Sequence, residues 1–308
     1  MSHTDMWHWM PLAVVESVLA AHPRASVVFL SNGMPLDFFS CFADAGYDVT
    51  VWRYDIVQET RGTLLESFVK SDAWRSSNAS SFRYAHESDL LRLVMLYKFG
   101  GIYIDTDLLL LRPVDDDILE GSALGVETYN DQVETSKTKG GLRINNAFLA
   151  FTRPGHPYVK YVMEKVAQQY DPKEWAAIGP DLITESFRAM PDDVQLSIRL
   201  LEPEALYPLH WARAHSVLRS DRTMLDGDWP PSKRGASMGI HLYNSNSYIH
   251  QCGGETCSYY RLLGPPPGSW IEEAINNIRL PRPTRCDALR IPAKEARDRE
   301  AARKKAGG

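Results

Sequence analysis

Hydrophobic and polar positions follow each other in short blocks along the N-terminal part of the chain. Apolar residues recur at helical spacing through residues 11–19, which predicts a helix. Residues 26–31 and 47–52 are short apolar runs rich in β-branched side chains, so we predict two buried strands there. A short helix is predicted between them, at residues 37–45. A strand, a helix and a strand at this spacing are typical of a parallel sheet with crossover helices.

The same alternation continues to the end of the folded part, so we predict an α/β fold. A long helix is predicted at residues 85–99, ended by Gly100 and Gly101. The segment after it begins as a buried apolar strand, and this apolar pattern is interrupted at Asp105 and Asp107. The polar residues 58–83 are predicted to form loops and short helices, and the acidic residues 113–141 a loop. The later predicted elements are a strand at 145–151, helices at 156–170 and 179–187, and strands at 197–201 and 238–243.

Composition narrows the class of protein. The hydrophobic fraction of 44% and the charged fraction of 24% are those of a globular protein, which excludes a disordered chain, a collagen and a coiled coil. The formal net charge is −5, so the chain is not suited to neutralise nucleic acid phosphates, and no nucleic acid partner is predicted. No run reaches the roughly 18 apolar residues of a membrane-spanning helix, and the start is unlike a signal peptide. The chain as given is therefore predicted to be soluble.

The cysteines are too few for a disulfide framework. Cys252 and Cys257 could close a small loop in an oxidising compartment, but free thiols are the favoured interpretation. A zinc site would need a second pair of ligands at suitable spacing, and the sequence has none. The other cysteines, Cys41 and Cys286, are far from this pair in the sequence.

Asp-x-Asp occurs in three places, and their contexts differ. Two carboxylates spaced in this way on an extended chain project to one side, where they can hold a divalent cation through oxygen. Residues 115–117 and the pair Asp226 and Asp228 lie in polar turns, so we interpret them as solvated acids. Asp105 and Asp107 follow an apolar strand and precede a run of leucines, where burial of carboxylates is costly without a compensating charge. For this pair we favour a metal site.

Asp89 and Arg92 are three residues apart on the long predicted helix and therefore share one face of it. One interpretation is a structural ion pair on the surface. The other is that Asp89 accepts hydrogen bonds from sugar hydroxyls while the donors of Arg92 bind hydroxyl or phosphate oxygens. The spacing does not decide between these two.

The central segment resembles a known family. It reads Ser88-Asp89-x-x-Arg92, then Leu96-Tyr-x-x-Gly-Gly-Ile-Tyr103-x-Asp105-x-Asp107, and it is similar to the glycosyltransferase family with the DXD motif. This family holds the α1,4-galactosyltransferases and α1,4-N-acetylglucosaminyltransferases, with clostridial glucosylating toxins as more distant relatives. The similarity covers roughly residues 10–262 and includes further motifs at residues 145–151, 179–184, 204–208 and 240–244.

The resemblance implies a GT-A nucleotide-sugar-binding fold, with a mostly parallel sheet flanked by helices. We expect the catalytic domain at residues 1–263, a proline-marked extension at 264–292, and a charged, disordered tail at 293–308. The family also implies a UDP-sugar donor, a Mn²⁺ or Mg²⁺ ion, and transfer with retention of the anomeric configuration. The acceptor would be a glycan, a glycolipid or a glycoprotein.

Site residues follow from the same resemblance. The implied metal ligands are Asp105, Asp107 and His241. The implied donor-binding residues are Asp89, Arg92, Tyr103, Asp105 and Asn145. The implied catalytic residues are Asp105, Asp107, Asn146 and Asp181. His241 could equally be a hydrogen-bonded core histidine, and Asn145 and Asn146 could be purely structural.

The expected mechanism depends on which carboxylates lie near the anomeric carbon. Double displacement would place a pair of carboxylates there. No second acidic motif is evident outside the Asp-x-Asp region, so we favour attack by the acceptor on the face that the diphosphate leaves. Asp181 and Glu185 are the carboxylates to check against this expectation.

Other classes of function remain open. The chain could be a nucleotide-sugar-binding or glycan-binding protein of the same fold without turnover, although the intact acids argue against it. A phosphohydrolase of nucleotide sugars would need a water-activating base, and no residue is placed for that role.

The sequence departs from the family in three respects. Members usually carry an N-terminal membrane anchor for the Golgi. Here the anchor is either lost from the sequence or the enzyme works outside that setting, and a cytoplasmic location stays open. The first strand, which normally helps to hold the uracil, could only be formed by residues 6–10. Residues 121–140 resemble nothing in the family, and such loops often face the acceptor.

Overall fold

The computed structural model describes residues 9–129, 141–175, 177–243 and 265–286. The described strands are β1 (Ser26–Leu30), β2 (Asp48–Trp52), β3 (Gly101–Ile104), β4 (Leu108–Leu110), β5 (Ser122–Thr128), β6 (Arg143–Phe151), β7 (Arg199–Leu201) and β8 (Gly239–His241). The described α-helices are α1 (Trp9–Ala21), α2 (Ser40–Asp44), α3 (Ile56–Glu59), α4 (Glu66–Val69), α5 (Asp72–Ser76), α6 (Arg83–Phe99), α7 (Asp116–Glu120), α8 (Pro157–Gln169), α9 (Pro180–Arg188), α10 (Asp192–Leu196), α11 (Pro203–Leu206), α12 (Thr223–Asp228), α13 (Pro231–Arg234) and α14 (Trp270–Asn276). Short 3₁₀ helices are present at Ser77–Ala79 and Ala214–Leu218.

The chain divides into two compact units, each built from several segments. The first unit comprises Arg53–Asp105 and Val114–Tyr207. Among the described residues, the second unit comprises 9–52, Thr106–Pro113, 208–243 and 265–286. The domain boundaries expected at residues 263 and 292 stay a prediction. The Cys252–Cys257 loop, most of the 121–140 segment after Tyr129, and the tail at 293–308 lie outside the described residues.

The predicted parallel pair of N-terminal strands is confirmed in the second unit. Strands β1 and β2 run parallel, with Ser26 opposite Asp48 and Leu30 opposite Trp52. The buried core beside them draws on α1, on the segment around α2 and on β2, and its members include Leu12, Val15, Leu19, Phe39, Phe42, Val49 and Val51. The apolar spacing predicted the helix correctly, but burial is not limited to one face: every residue from 9 to 17 is buried, including Glu16, which the spacing placed on the surface side.

Helix α1 begins earlier than predicted and replaces the expected first strand. Trp9 and Met10 are helical and buried, so the expectation of a strand over residues 6–10 is wrong for its described part. Pro11 is compatible with a helix here because the first turn does not need its missing N–H donor. Trp9 and Met10 belong to a second buried cluster, with Trp229 and Trp270.

Strands β4 and β8 form an antiparallel pair in the second unit, with Leu108 opposite His241. Leu110 donates its backbone N–H to the hydroxyl of Ser17 on α1 at 3.1 Å, and that hydroxyl donates to the carbonyl of Val14 at 2.8 Å. This polar contact satisfies a buried backbone donor and fixes α1 against the strand.

The segment after Pro265 packs against the second unit. Helix α14 begins at Ser269, whose hydroxyl accepts the Glu272 N–H at 3.3 Å, and it buries Trp270 and Ile271. Further on, the Arg282 guanidinium lies 4.1 Å from the centre of the Tyr47 ring. The residues predicted to be an extension thus contribute to the core of this unit.

Cys41 and Cys286 form a disulfide with their Cα atoms 5.3 Å apart. The prediction of free thiols concerned Cys252 and Cys257, which lie outside the described residues, and no pairing of Cys41 with Cys286 was predicted. Cys41 and Cys286 are separated by 245 positions in the sequence, and local cysteine spacing carries no information about such a pairing.

The first unit holds a four-stranded sheet in the order β3-β6-β5-β7. Strand β6 runs antiparallel to both β3 and β5, whereas β5 and β7 are parallel. The α/β class is confirmed, but the sheet is mixed in this unit rather than mostly parallel. Strand β5 lies in the segment that was predicted to be a loop. The strand was not predicted because Gly125 and nearby acidic residues interrupt its short run of apolar residues, of which 123, 124 and 126 are buried.

Helix α6 packs against α8 and β6 in the core of the first unit, and its predicted stop is confirmed. Gly100 has φ of +69°, and a Cβ there would lie 2.6 Å from the carbonyl oxygen of Thr152. Glycine is required at this position for both reasons. The turn delivers the chain from α6 directly into β3. In the described part of the chain, no helix combines the length and hydrophobicity needed to cross a membrane.

We predict that Cys286→Ser lowers the free energy of unfolding by about 2–5 kcal/mol, because the disulfide restricts the unfolded chain. Urea unfolding without reductant measures this, and Cys252→Ser is the matched control because it leaves the Cys41–Cys286 bond in place. Peptide mapping that finds Cys41 reduced in the purified wild-type protein would contradict the assignment.

Candidate functional site

A buried arginine joins two acidic residues at the centre of the first unit. Asp89 and Arg92 lie on one face of α6, with 8% and 6% of their surfaces exposed. The Arg92 Nη2 atom lies 2.8 Å from Asp89 Oδ1, and its Nη1 atom lies 3.3 Å from Asp105 Oδ1. Burial excludes the interpretation of a surface ion pair. Arg92 instead carries the positive charge that lets two carboxylates lie close together in the interior.

Tyr103 completes this cluster from strand β3. Its hydroxyl donates to Asp105 Oδ1, and the Arg92 guanidinium lies 4.3 Å from the centre of its ring. Burial raises the pKa of the Tyr103 phenol well above its usual value, so it stays a neutral donor at physiological pH. Asp105 is thereby held by a hydroxyl and a guanidinium.

The pKa of the Asp89 carboxyl is raised overall, because the effect of burial exceeds that of its partners. Burial raises the pKa of the Asp89 carboxyl, and the Arg92 guanidinium opposes this rise. The amide of Asn146 also favours the charged form, since its Nδ2 donates to Asp89 Oδ1 at 2.9 Å. Asp89 is therefore an acceptor whose orientation is fixed before any ligand binds.

A bulge in β6 brings Asn146 to this cluster. Leu124 pairs with Leu149, but the next residue, Gly125, pairs with Asn145, so residues 146–148 of β6 form a bulge against β5. Arg92 donates to the backbone carbonyl of Asn146 within this bulge. The proximity of Asn146 to Asp89 and Arg92 therefore arises from an irregular strand.

Asn145 has a different environment from its neighbour. Its Oδ1 accepts the backbone N–H of Ala147 at 2.8 Å, and its Nδ2 donates to Glu127 Oε2 at 3.2 Å. The Ala147 carbonyl in turn accepts the backbone N–H of Asp105 at 2.8 Å. In this structure, Asn145 contacts the bulge and Glu127.

Two carboxylates share one guanidinium beside Asn145. Arg143 Nε lies 3.0 Å from Glu127 Oε2, and its Nη1 donates to Asp181 Oδ1 at the start of α9. Glu127 is the extra residue of a second bulge, between the pairs Val126–Ile144 and Thr128–Arg143. Asp181, predicted as a catalytic residue, is thus ion-paired, while Glu185 is exposed on the same helix.

Tyr207 lies between these two clusters of the first unit. A Cβ on Gly125 would be 2.6 Å from the Tyr207 ring, so the ring packs directly on the strand backbone. Burial is the main cause that raises the pKa of the Tyr207 phenol well above its usual value, followed by the charges of Glu127 and Asp105. The negative charges of one acid from each cluster therefore act on the Tyr207 phenol.

In the second unit, Asp107 lies beside His241. The His241 Nε2 atom is 3.2 Å from Asp107 Oδ1, and both side chains are largely buried. The β4–β8 pairing brings them together, and Leu242 donates its N–H to the Asp107 carbonyl at 2.9 Å. Tyr243, whose ring centre is 4.1 Å from that of His241, has φ of +50°, which is a strained value for an aromatic residue.

The other acidic motifs have exposed side chains with arginine partners. Asp117 on α7 pairs with Arg199, and Asp226 on α12 pairs with Arg234. They lie on short helices rather than in loops, but their interpretation as solvated acids agrees with side-chain exposures of 62% and 45%.

Three residues near the predicted site were missed by sequence reasoning. Glu127 stands at the end of the overlooked strand β5, and Arg143 precedes the strand motif that contains Asn145. Tyr207 belongs to one of the quoted later motifs, but its sequence gives no sign of where its phenol points. The apolar run before Glu127 was the available signal for that residue.

Comparison with known families decides the relationship. Residues 12–124 match the glycosyltransferase sugar-binding region containing the DXD motif. Residues 151–263 match the alpha 1,4-glycosyltransferase conserved region. Two separate regions of the chain therefore match glycosyltransferase families, and the first match is to the region that contains the DXD motif. In this glycosyltransferase, the first match contains Asp89, Arg92 and the DXD residues Asp105 and Asp107, and the second contains His241.

Curated relatives of the transferase are similar at low identity. Human alpha-1,4-N-acetylglucosaminyltransferase is 26% identical over 288 residues, which cover 83% of this chain and 76% of the relative. Mouse lactosylceramide 4-alpha-galactosyltransferase is 27% identical over 251 residues, which cover 76% of this chain and 62% of the relative. The solved structure of the PaToxG glycosyltransferase is 18% identical with a TM-score of 0.38, covering 64% of this chain and 68% of that chain.

We predict that Arg92→Ala lowers the free energy of unfolding by about 3–5 kcal/mol, because it leaves the buried carboxylate of Asp89 and the partly exposed carboxylate of Asp105 without their counter-ion. Urea unfolding at neutral pH measures the loss. Arg75→Ala is the matched control, since Arg75 is 64% exposed and its pair with Asp72 is worth at most about 1 kcal/mol. Equal losses in the two variants would contradict the assigned role of Arg92.

Proposed function

We propose that this protein is a metal-dependent, retaining glycosyltransferase. It moves a hexose or N-acetylhexosamine from a UDP-sugar to a hydroxyl of a glycan or glycolipid, in α linkage. The observation that carries the proposal is Arg92, buried between Asp89 and the DXD residue Asp105. A guanidinium and carboxylates held rigidly together form a polar surface suited to sugar hydroxyls and phosphate oxygens.

The donor sugar would be bound by the first-unit cluster. Asp89 has acceptor positions beyond those used by Arg92 and Asn146, since an ionised carboxylate offers about four. Tyr103 and Arg92 hold the Asp105 side chain in one conformation, so it would bind the donor without first having to change its rotamer. Asn146 presents its amide at the same place because of the β6 bulge.

The ligand set of the proposed metal site is Asp105, Asp107 and His241. Asp107 and His241 offer an oxygen and a nitrogen atom 3.2 Å apart, and Asp105 follows from the chain, since Thr106 alone separates it from Asp107. Carboxylate oxygen with imidazole nitrogen is a donor set that fits Mn²⁺. A divalent ion held there supplies Lewis-acid stabilisation of the diphosphate that leaves.

The arrangement of carboxylates supports same-face attack over double displacement. Arg143 is bonded to both Glu127 and Asp181, and a carboxylate neutralised in this way is a weaker nucleophile. In the proposed mechanism the acceptor hydroxyl approaches from the side of the departing diphosphate. Its proton passes to a phosphate oxygen as the anomeric C–O bond breaks and the new C–O bond forms.

The acceptor class is inferred from the names of the relatives. One is named for transfer of N-acetylglucosamine and the other for transfer of galactose to lactosylceramide. We therefore propose a glycan or a glycolipid as the acceptor. A nucleotide-sugar-binding protein without turnover is the alternative that the following experiment distinguishes.

We predict Mn²⁺-dependent release of UDP when the protein is incubated with UDP-Gal, UDP-GlcNAc and UDP-Glc, with at least one donor turned over. A coupled UDP assay with and without EDTA measures it. Tight binding of a UDP-sugar in calorimetry with no UDP release from any donor would favour the binding protein and overturn the enzymatic proposal.

We predict that Asp107→Ala reduces metal-dependent UDP release by at least about 10²-fold, because it removes a carboxylate from the proposed metal site. Asp116→Ala is the matched control, since it makes the same change in another acidic motif at an exposed position on α7. Release that is unchanged in Asp107→Ala would refute a metal role for this residue.

A further inference from the structure

A chain of hydrogen bonds runs from a carboxylate that the sequence did not single out to the backbone of the DXD motif. Glu127 Oε2 accepts from Asn145 Nδ2 at 3.2 Å, and Asn145 Oδ1 accepts from the Ala147 N–H at 2.8 Å. The Ala147 carbonyl then accepts from the Asp105 N–H at 2.8 Å. All of these groups belong to the first unit.

The direction of donation along this chain of hydrogen bonds is set by Glu127, from which it starts. An ionised carboxylate is an acceptor only, so it forces Asn145 to present its NH₂ group toward Glu127. The amide oxygen of Asn145 must then face the opposite way, toward the Ala147 N–H. If the amide were reversed, the Asn145 oxygen would face the Glu127 carboxylate and the buried N–H of Ala147 would lose its acceptor, which is unfavourable.

Glu127 is itself held in place. It is the extra residue of the second bulge in β5, its side chain is 9% exposed, and Arg143 Nε binds the same oxygen atom at 3.0 Å. The ion pair fixes the orientation of the carboxylate. A bulge that turns a side chain toward a site is a recurring device of sheets.

The bulge that Asn145 closes contains the groups that touch the donor-binding cluster. Asn146 lies between Asn145 and Ala147, and it donates to Asp89 while its carbonyl accepts from Arg92. A shift of this backbone would therefore move the partners of Asp89, Arg92 and Asp105 together.

We infer that Glu127 is a positioning residue of the transferase, which sets the Asn145 amide and through it the backbone that holds Asp105 and Asn146. This inference rests on the proposed function, because it assigns the cluster to donor binding. Glu127 acts without contact to the donor, so its contribution depends on hydrogen-bond polarity rather than on a charge presented to the sugar.

A double substitution tests the polarity directly. Asn145→Asp places two carboxylates against each other and is expected to lower kcat/KM for UDP release by about 10²-fold, the cost of a misplaced reacting group. Glu127→Gln removes the constraint on Asn145 and is expected to cost about tenfold, as for outer-shell partners. In the double variant, the amide at position 127 can donate to the carboxylate at position 145, and that carboxylate can still accept from the Ala147 N–H. The double variant is therefore expected to recover at least about tenfold over Asn145→Asp.

The outcomes separate positioning from other roles. A double variant no better than Asn145→Asp would mean that the two side chains do not act through their hydrogen bond, and the inference would be overturned. Loss of thermal stability in Glu127→Gln with unchanged kcat/KM would reduce Glu127 to a structural role and overturn it as well. Glu120→Gln is the matched control, because Glu120 is exposed on α7 in the same unit and should leave kcat/KM unchanged.

Failure of the proposed function gives a different result. Wild-type protein that releases no UDP from any donor sinks the transferase proposal. The hydrogen-bond chain is then tested by thermal unfolding of the same four proteins. A Tm of the double variant above that of Asn145→Asp supports the chain, whereas strictly additive losses of Tm overturn it.

Discussion

The ion pairs of Arg92 are the constraint on which the first unit depends. The buried carboxylate of Asp89 lies close to the partly exposed carboxylate of Asp105, and this arrangement requires a compensating charge. Removing one partner from a buried ion pair costs more stability than the intact pair contributes. Arg92 meets this requirement from α6, while Tyr103 and the β6 bulge supply the remaining donors. A more stable interior would contain apolar side chains here, so the cluster is better explained by ligand binding than by folding.

Irregular backbone is what turns an ordinary sheet into a polar site. Strand β6 pairs regularly with β3 at residues 148–151, and this regular part lies in the apolar core. Its other half carries the bulge with Asn145 and Asn146, opposite the bulge that carries Glu127. Regular pairing would send alternate side chains to opposite faces of the sheet. The two bulges instead bring amides and acids together, at the expense of ladder hydrogen bonds.

The predictions succeeded where local pattern decides structure. Helix α6, the glycine stop after it and the placement of Asp89 beside Arg92 all follow from helical spacing and from the conformational freedom of Gly100. They failed where structure depends on distant partners. Strand β5 is stabilised by β6 and β7 rather than by its own sequence, and Glu127 gains its role only through a register shift. The similarity to the family identified the DXD residues, but it did not identify the bulges and hydrogen bonds that hold Asp105 in place.

The disulfide between Cys41 and Cys286 gives the chain an unusual connectivity. It closes a covalent ring across a separation of 245 positions, and every residue of the first unit from Arg53 to Tyr207 lies inside that ring. A protease that cuts once anywhere within the ring opens it without releasing a fragment, so the nicked enzyme keeps its full mass until a reductant is added. A single cut in the first unit would then leave both pieces covalently tethered, where a chain without the disulfide would be divided into two separate pieces.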